Sequence, residues 1–147
     1  MSAEPGGGSG SSAPPVVVIV DVANVMGSRP EGWWRDRAGA ATRLLERMPR
    51  LVGRTVGAPD GAGGPTIAIG RVVAVLEGGA KPASAPAGID VVRAAADGDG
   101  AIVDEAARLV EAGDRVLVVT ADRGLRARLA GGVAVGGPGW FNDLVGR

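Results

Sequence analysis

The stretch Val16-Val17-Val18-Ile19-Val20-Asp21-Val22-Ala23-Asn24-Val25-Met26-Gly27 decides the fold. Its first five residues are β-branched and apolar without alternation, so the strand they form must be buried on both faces. Strands of that kind belong to parallel sheets covered by helices on each side. A second run, Val116-Leu117-Val118-Val119-Thr120, repeats the pattern and ends in Ala121-Asp122-Arg123-Gly124. Both strands therefore finish at an aspartate. In an open parallel sheet, ligands bind outside the carboxyl ends of the strands, which puts Asp21 and Asp122 on one edge.

Outward from these strands, turn formers at 27–32 lead to a helix expected over 33–48. Trp34, Ala38, Ala41, Leu44, Leu45 and Met48 give its apolar face, and Arg35, Arg43, Arg47 and Arg50 occupy other positions. Residues 53–70 are rich in Gly and Pro and read as a loop, with a short extended piece at 66–69. Strands follow at 71–76 and 89–93. A helix over 101–112 has Ile102, Ala106, Leu109 and Val110 on its apolar face and is stopped by Gly113-Asp114. Beyond the strand at 116–120 come a short helix carrying Leu125 and Leu129 and a last strand at 132–136. Pro138 then opens a terminal helix containing Trp140, Phe141, Leu144 and Val145. The alternation of strand and helix predicts a doubly wound α/β domain over 16–147. Residues 1–15 are Gly, Ser, Ala and Pro with one Glu, after the initial Met. They hold too little apolar surface to offset ordering entropy and are expected to form a disordered tail.

Composition narrows the chemistry. The 147 residues include no Cys and no His, which removes disulfides, thiolate zinc sites, cysteine nucleophiles, histidine acid–base catalysis and every histidine-ligated metal. Sixteen basic residues balance sixteen acidic ones, against the pattern of a histone-like binder. Lys81 is the one lysine, and it lies in Gly78-Gly79-Ala80-Lys81-Pro82-Ala83-Ser84, so no phosphate-binding P-loop is present. No segment reaches 18 apolar residues, so no membrane span is expected. The start lacks the basic region of a signal peptide, and the cytoplasm is the expected compartment.

Hydrolytic chemistry must then come from carboxylates, hydroxyls, Lys81, arginines or a hard cation. Asp97-Gly98-Asp99-Gly100 opens a helix just after the strand at 89–93, so Asp99 and Asp97 should reach the edge that carries Asp21 and Asp122. Carboxylates gathered there repel one another unless a cation lies between them, and all-oxygen ligands suit Mg²⁺ or Mn²⁺. Each acid also has a purely structural reading. Asp99 can cap its helix through the N–H of Ala101 or Ile102, Asp97 to Gly100 can be only a turn, and Asp122 can cap the next helix. The arginines of the first long helix can be a solvated face or a phosphate-facing patch.

The segments 16–37, 98–109 and 116–129 together resemble the PIN-like nuclease superfamily, and most closely its NYN branch in the uncharacterised form common in actinobacteria. The DxxN pattern matches Asp21 and Asn24, the acid opening a late helix matches Asp99, and the T-x-D motif matches Thr120 and Asp122. The resemblance implies a Rossmann-like (PIN-like) three-layer domain with a mostly parallel central sheet. It also implies a Mg²⁺- or Mn²⁺-dependent ribonuclease hydrolysing RNA phosphodiester bonds. Asp21, Asp99 and Asp122 would hold metal, with Asp97 beside them. Asn24 and, more weakly, Thr120 would hydrogen-bond a ligand carboxylate, a metal-bound water or the scissile phosphate. Arg123, Arg43, Arg47 and Arg50 would hold phosphates.

This chain departs from the pattern at Gly100, where many relatives have a second acid. Asp97 or Asp104 can compensate, and Glu77 is a peripheral candidate. The competing reading is a non-catalytic RNA-binding or protein-interaction domain with a degraded metal site. A small-molecule phosphohydrolase is a third class. The expected partner is single-stranded or structured cellular RNA. No membrane partner is expected, and a homodimer is compatible with the sequence.

Overall fold

The structure is a computed structural model that describes residues 14–59 and 65–147. Most of the expected tail, and part of the expected loop at 53–70, lie outside those residues. Strand β1, Pro15–Asp21, is central. It pairs in parallel with β3, Thr66–Leu76, on one side and with β5, Arg115–Val119, on the other. Beyond β5 lies the parallel β6, Ala134–Gly136. The outer edge of β3 is shared by two short strands. β2, Thr55–Gly57, pairs antiparallel with its first half, and β4, Asp90–Arg93, pairs parallel with its second half. The parallel strands therefore run in the order β4-β3-β1-β5-β6.

Each long strand divides its side chains between two cores, as the period of two requires. Val16, Val18 and Val20 face one core, and Val17 and Ile19 face the other. Val72, Ala74 and Leu76 of β3 join the first core, with Leu117 and Val119 of β5. Val73, Val75, Val116 and Val118 join the second. Three helices cover the first face. They are α1, Val22–Gly27, α2, Arg37–Leu45, and the terminal α5, Pro138–Leu144. Their contributions include Val25, Met26, Leu44, Leu45 and Phe141. Two helices cover the second face: α3, Gly98–Glu111, and α4, Arg123–Arg128, which supply Ile102, Ala106, Leu109 and Leu125. The result is the doubly wound α/β domain that the strand patterns predict, in the Rossmann-like three-layer form with a mostly parallel sheet that the resemblance implies.

The structure departs from the sequence reading in four places. The turn-like segment after Asp21 is the short helix α1, whose Val22, Val25 and Met26 are buried at helical spacing. Residues 55–57 form the antiparallel strand β2 in a segment expected to be loop. The expected helix over 33–48 is broken. Trp33–Arg35 is a 3-10 turn, and Asp36 restarts the chain as the N-cap of α2 by accepting the Gly39 N–H at 2.9 Å. The break shifts the helical phase, so Trp34 is 50% exposed instead of lying on the apolar face, and Trp33 packs against the core in its place.

The fourth departure is the length of β3, which absorbs the extended piece at 66–69 and the strand at 71–76 into one element. The β1–β3 register shifts between Val16, opposite Ile69, and Val17, opposite Arg71, leaving Gly70 as an extra residue. That bulge reverses parity. Ile67 and Ile69 face the first core before it, and Val72, Ala74 and Leu76 face the same core after it. A Cβ at Gly70 would stand 2.7 Å from the Cβ of Pro15, so only glycine fits at the bulge.

Candidate active site

Chain order reverses around β1. The chain leaves β1 through α1 and α2 on one face to reach β3, and later crosses the other face through α3 to enter β5. The carboxyl ends of β3, β1 and β5 lie side by side at this switch point, where open α/β sheets bind ligands. Glu77 follows β3, Asp21 ends β1, and Thr120 and Asp122 follow β5. Helix α3 begins just beyond β4 and brings Asp97 and Asp99 to the same edge.

A hydrogen-bond web fixes these groups. The Asp21 Oδ2 atom accepts from the Thr120 hydroxyl at 2.9 Å, and Oδ1 accepts from the Asn24 N–H at 3.3 Å, which makes Asp21 the N-cap of α1. The Thr120 Oγ1 atom in turn accepts from the Asp122 N–H at 3.1 Å. The Asn24 side-chain carbonyl accepts from the Ala121 N–H at 2.9 Å, tying the β1–α1 corner to the β5–α4 corner. Asp122 caps α4 through Oδ1, which accepts from the Leu125 N–H at 3.0 Å. Asp97, rather than Asp99, caps α3, accepting from the Gly100 N–H at 2.6 Å. Glu77 Oε1 accepts from the Gly98 N–H at 2.8 Å, and a Cβ on Gly98 would come within 2.9 Å of the Glu77 carboxyl carbon. The glycine in Asp97-Gly98-Asp99 thus lets a carboxylate from β3 close on the start of α3.

Capping therefore accounts for Asp21, Asp97 and Asp122 in part, through one oxygen of each. Asp99 stands in the first turn of α3, half-buried, and does not cap it. Its electrostatics mark it as a member of the cluster. Its pKa is raised by partial burial and then by the charges of Asp122, Glu77 and Asp97, while Arg128 pulls it down. Asp21 is only 6% exposed. Burial pushes its pKa from the ordinary 3.8 up to about 6, against the lowering effects of the Thr120 and Asn24 hydrogen bonds, and Asp99 and Glu77 add to the rise. Asp99 thus links the acids of this edge: Asp122, Glu77 and Asp97 act on it, and it acts together with Glu77 on Asp21.

Other expected residues take different roles. Thr120 is fully buried and both donates and accepts, so it orients Asp21 and the Asp122 backbone and has no surface to offer a phosphate. Arg47 donates to the carbonyls of Val145 and Gly146 at 3.0 and 3.1 Å, and Arg50 donates to Val145 at 2.6 Å. These two guanidinium groups satisfy the open end of α5 and anchor the end of the chain to the region after α2. Arg43 and Arg123 are exposed, Arg123 at the start of α4 beside Asp122. Asp104 is exposed one turn further along α3. Glu77 belongs inside the cluster rather than at its periphery. Arg128, the cation that acts on Asp99, gives no sign in the sequence, because its approach depends on how α4 packs beside α3.

The donor set suits a hard divalent cation. It is all carboxylate, and its two perturbed members are held toward the neutral form by burial and by neighbouring carboxylates, a strain that a cation relieves. The spacing is looser than a finished site. Among the described residues no group of three or more acidic side chains stands close enough to hold an ion as placed.

The fold and this edge define a class: a Rossmann-like three-layer α/β domain with acidic side chains collected at the carboxyl end of its sheet. Among solved structures, Rae1 (YacP) from Bacillus subtilis, in a mutant form, resembles the chain with a TM-score of 0.65. The two are 17% identical, and the likeness covers 88% of this chain and 74% of that one. At that identity the likeness is one of fold. No protein-family profile and no curated protein matches the chain. No described helix is long and apolar enough to cross a membrane.

Proposed function

We propose that the protein is a Mg²⁺- or Mn²⁺-dependent ribonuclease of the NYN type, hydrolysing phosphodiester bonds at the carboxyl edge of the sheet. The observation that carries this reading is Asp21. A carboxyl buried at the end of the central strand, raised to about 6 and facing the charges of Asp99 and Glu77, is a costly arrangement with no folding purpose that a neutral cap would not serve better. Asp21, Asp99 and Asp122 are the proposed ligands, with Glu77 and Asp97 beside them. A bound divalent cation would supply neutralising charge, polarisation of a phosphoryl oxygen and activation of water, which this histidine-free chain otherwise lacks.

The chain's own groups do the positioning. Thr120 fixes the rotamer of Asp21. Asn24 locks the two corners that carry Asp21 and Asp122. Arg123 and Arg128 offer planar N–H forks suited to phosphate oxygens. The experiment is cleavage of a labelled single-stranded RNA with Mg²⁺, with Mn²⁺ and with EDTA. Cleavage is expected only with metal, and Asp21→Asn, Asp99→Asn and Asp122→Asn should each lower it by at least about 10²-fold. Full activity in EDTA, or in folded D21N and D122N proteins, overturns the reading.

One observation favours a second reading, a non-catalytic RNA-binding or protein-interaction domain. It is the looseness of the acidic spacing. A wild type that binds no metal and cuts nothing would select it.

A further inference from the structure

Two hollows lead away from the acidic edge: the first shares Glu77 with it, and the second shares Trp33 with the first. The first, about 450 Å³, is lined by Ala23, Trp33, Arg37 and Glu77 among others. Glu77 belongs to the acidic cluster, and Ala23 lies between Asp21 and Asn24, so this cleft opens directly from the proposed site. The Arg37 guanidinium lies over the Trp33 ring, 5.4 Å from its centroid, and the Arg37 stem packs on Gly79, where an added Cβ would meet it at 3.3 Å. The second hollow, about 270 Å³, is also lined by Trp33, with Arg43, Arg47, Arg147 and Glu31 among others. It holds three guanidinium groups against one carboxylate. Arg147 pairs with Glu31 and Arg47 holds carbonyls, while Arg43 forms no ion pair among the described residues.

The sequence of surfaces is therefore acidic edge, aromatic and guanidinium cleft, basic pocket. We infer that this is the path of a single RNA strand: a base next to the cut phosphate enters the Trp33–Arg37 cleft, and the following backbone runs past Trp33 onto Arg43. The inference rests on the ribonuclease reading only for the position of the cut. The cleft volume falls within the range of about 300–1,000 Å³ typical of small-molecule sites, which is room for a base and its sugar. Aromatic rings and guanidinium planes are the surfaces on which unpaired bases stack, and a base still paired in a duplex cannot enter a cleft. Charge sorts the two ends of the path. A phosphate is repelled by Glu77 and attracted by Arg37 and Arg43, so the cleft favours the uncharged base beside the acids and the backbone beyond them.

The test is binding of a short labelled single-stranded RNA to the full chain, followed by anisotropy over a salt series. The buffer holds EDTA in place of a divalent cation and the RNA is phosphorothioate-linked, so that it stays intact. Arg37→Ala and Arg43→Ala are expected to weaken binding at least fivefold and to lower the slope of log affinity against log salt by about 1 each. Trp33→Phe, which keeps a flat ring, should bind within about twofold of wild type, and a duplex of the same length at least tenfold more weakly. Trp33 also packs on the core, so the exposed Arg37 and Arg43 carry the decision if Trp33→Phe does not fold. Unchanged affinity and slope in R37A and R43A, a duplex that binds as tightly, or no binding by wild type overturns the path. A protein that binds as expected but cuts no unmodified RNA with Mn²⁺ keeps the path and loses the ribonuclease reading. A protein that cuts while R37A and R43A bind normally keeps the ribonuclease reading and loses the path.

Discussion

Replacing Asp21 with Asn should make the metal-free protein more stable at neutral pH. The sign follows from the raised carboxyl. Between 3.8 and about 6 the folded protein holds a proton that the unfolded chain has released, so stability falls as pH rises through that window and stays low above it. A carboxyl carried from 3.8 to about 6 costs the ionised fold about 3 kcal/mol. Asparagine has no charge to bury and keeps an oxygen for the Asn24 N–H. It places an amide where Oδ2 accepts the Thr120 hydroxyl, and that lost bond costs about 1 kcal/mol. The net gain for D21N is about 2 kcal/mol at pH 7 in EDTA. Near pH 4, where Asp21 is protonated in the folded wild type, the gain disappears and the variant becomes the weaker by about 0.5 kcal/mol. Urea unfolding of both proteins in EDTA, read by tryptophan fluorescence between pH 4 and pH 8, measures the difference. A variant less stable than wild type at pH 7, or a difference that does not change with pH, would refute the reasoning.

Three further outcomes follow from the same geometry. Thr120→Val keeps the shape of a fully buried side chain but leaves the Asp21 Oδ2 and the Asp122 N–H without their partner. It should cost about 1–3 kcal/mol and steepen the loss of stability above pH 4, both visible in the same urea series. Arg50→Ala should lower the melting temperature by a few degrees while leaving the salt slope of RNA binding nearly unchanged, because its side chain serves the end of α5 and stands outside the basic pocket. Gly98→Ala should push the Glu77 carboxylate away from the start of α3, and calorimetric titration with Mn²⁺ should show weaker binding in that variant if Glu77 supports the cation.

Much of the fold was legible because burial on both faces leaves a plain mark. Five β-branched residues in β1 and the matching run in β5 can be satisfied only between two helical layers, and both strands lie where that pattern puts them. What stayed hidden depends on contacts distant in sequence or on single-residue changes of phase. Gly70 splits the pattern of β3 because one inserted residue reverses which positions face the core. Asp36 does the same for the first long helix, and the price was the misplacement of Trp34. Helix α1 has only six residues, two of them valines buried on one side, too short a stretch for a period to show.

The site divides in the same way. Strand-end aspartates announce themselves by following apolar runs, and Asp21 and Asp122 lie at neighbouring strand ends as that position requires. Asp97 and Asp99 are two residues apart in a turn, and only geometry decides which of them caps the helix. Arg47 and Arg50 have the spacing of a phosphate-binding face, yet their partners are carbonyls more than 90 residues away, which no local pattern reports.

The central claim is that Asp21, Asp99 and Asp122 share one divalent cation. A crystal of the wild-type protein soaked in Mn²⁺, with anomalous scattering collected at the manganese edge, tests it most directly. The account predicts an anomalous peak at the carboxyl edge of the sheet with oxygens of all three aspartates at about 2.0–2.4 Å, and no such peak in the D21N protein. An empty edge in a crystal that takes up Mn²⁺ elsewhere, or a peak held by other side chains, would contradict it.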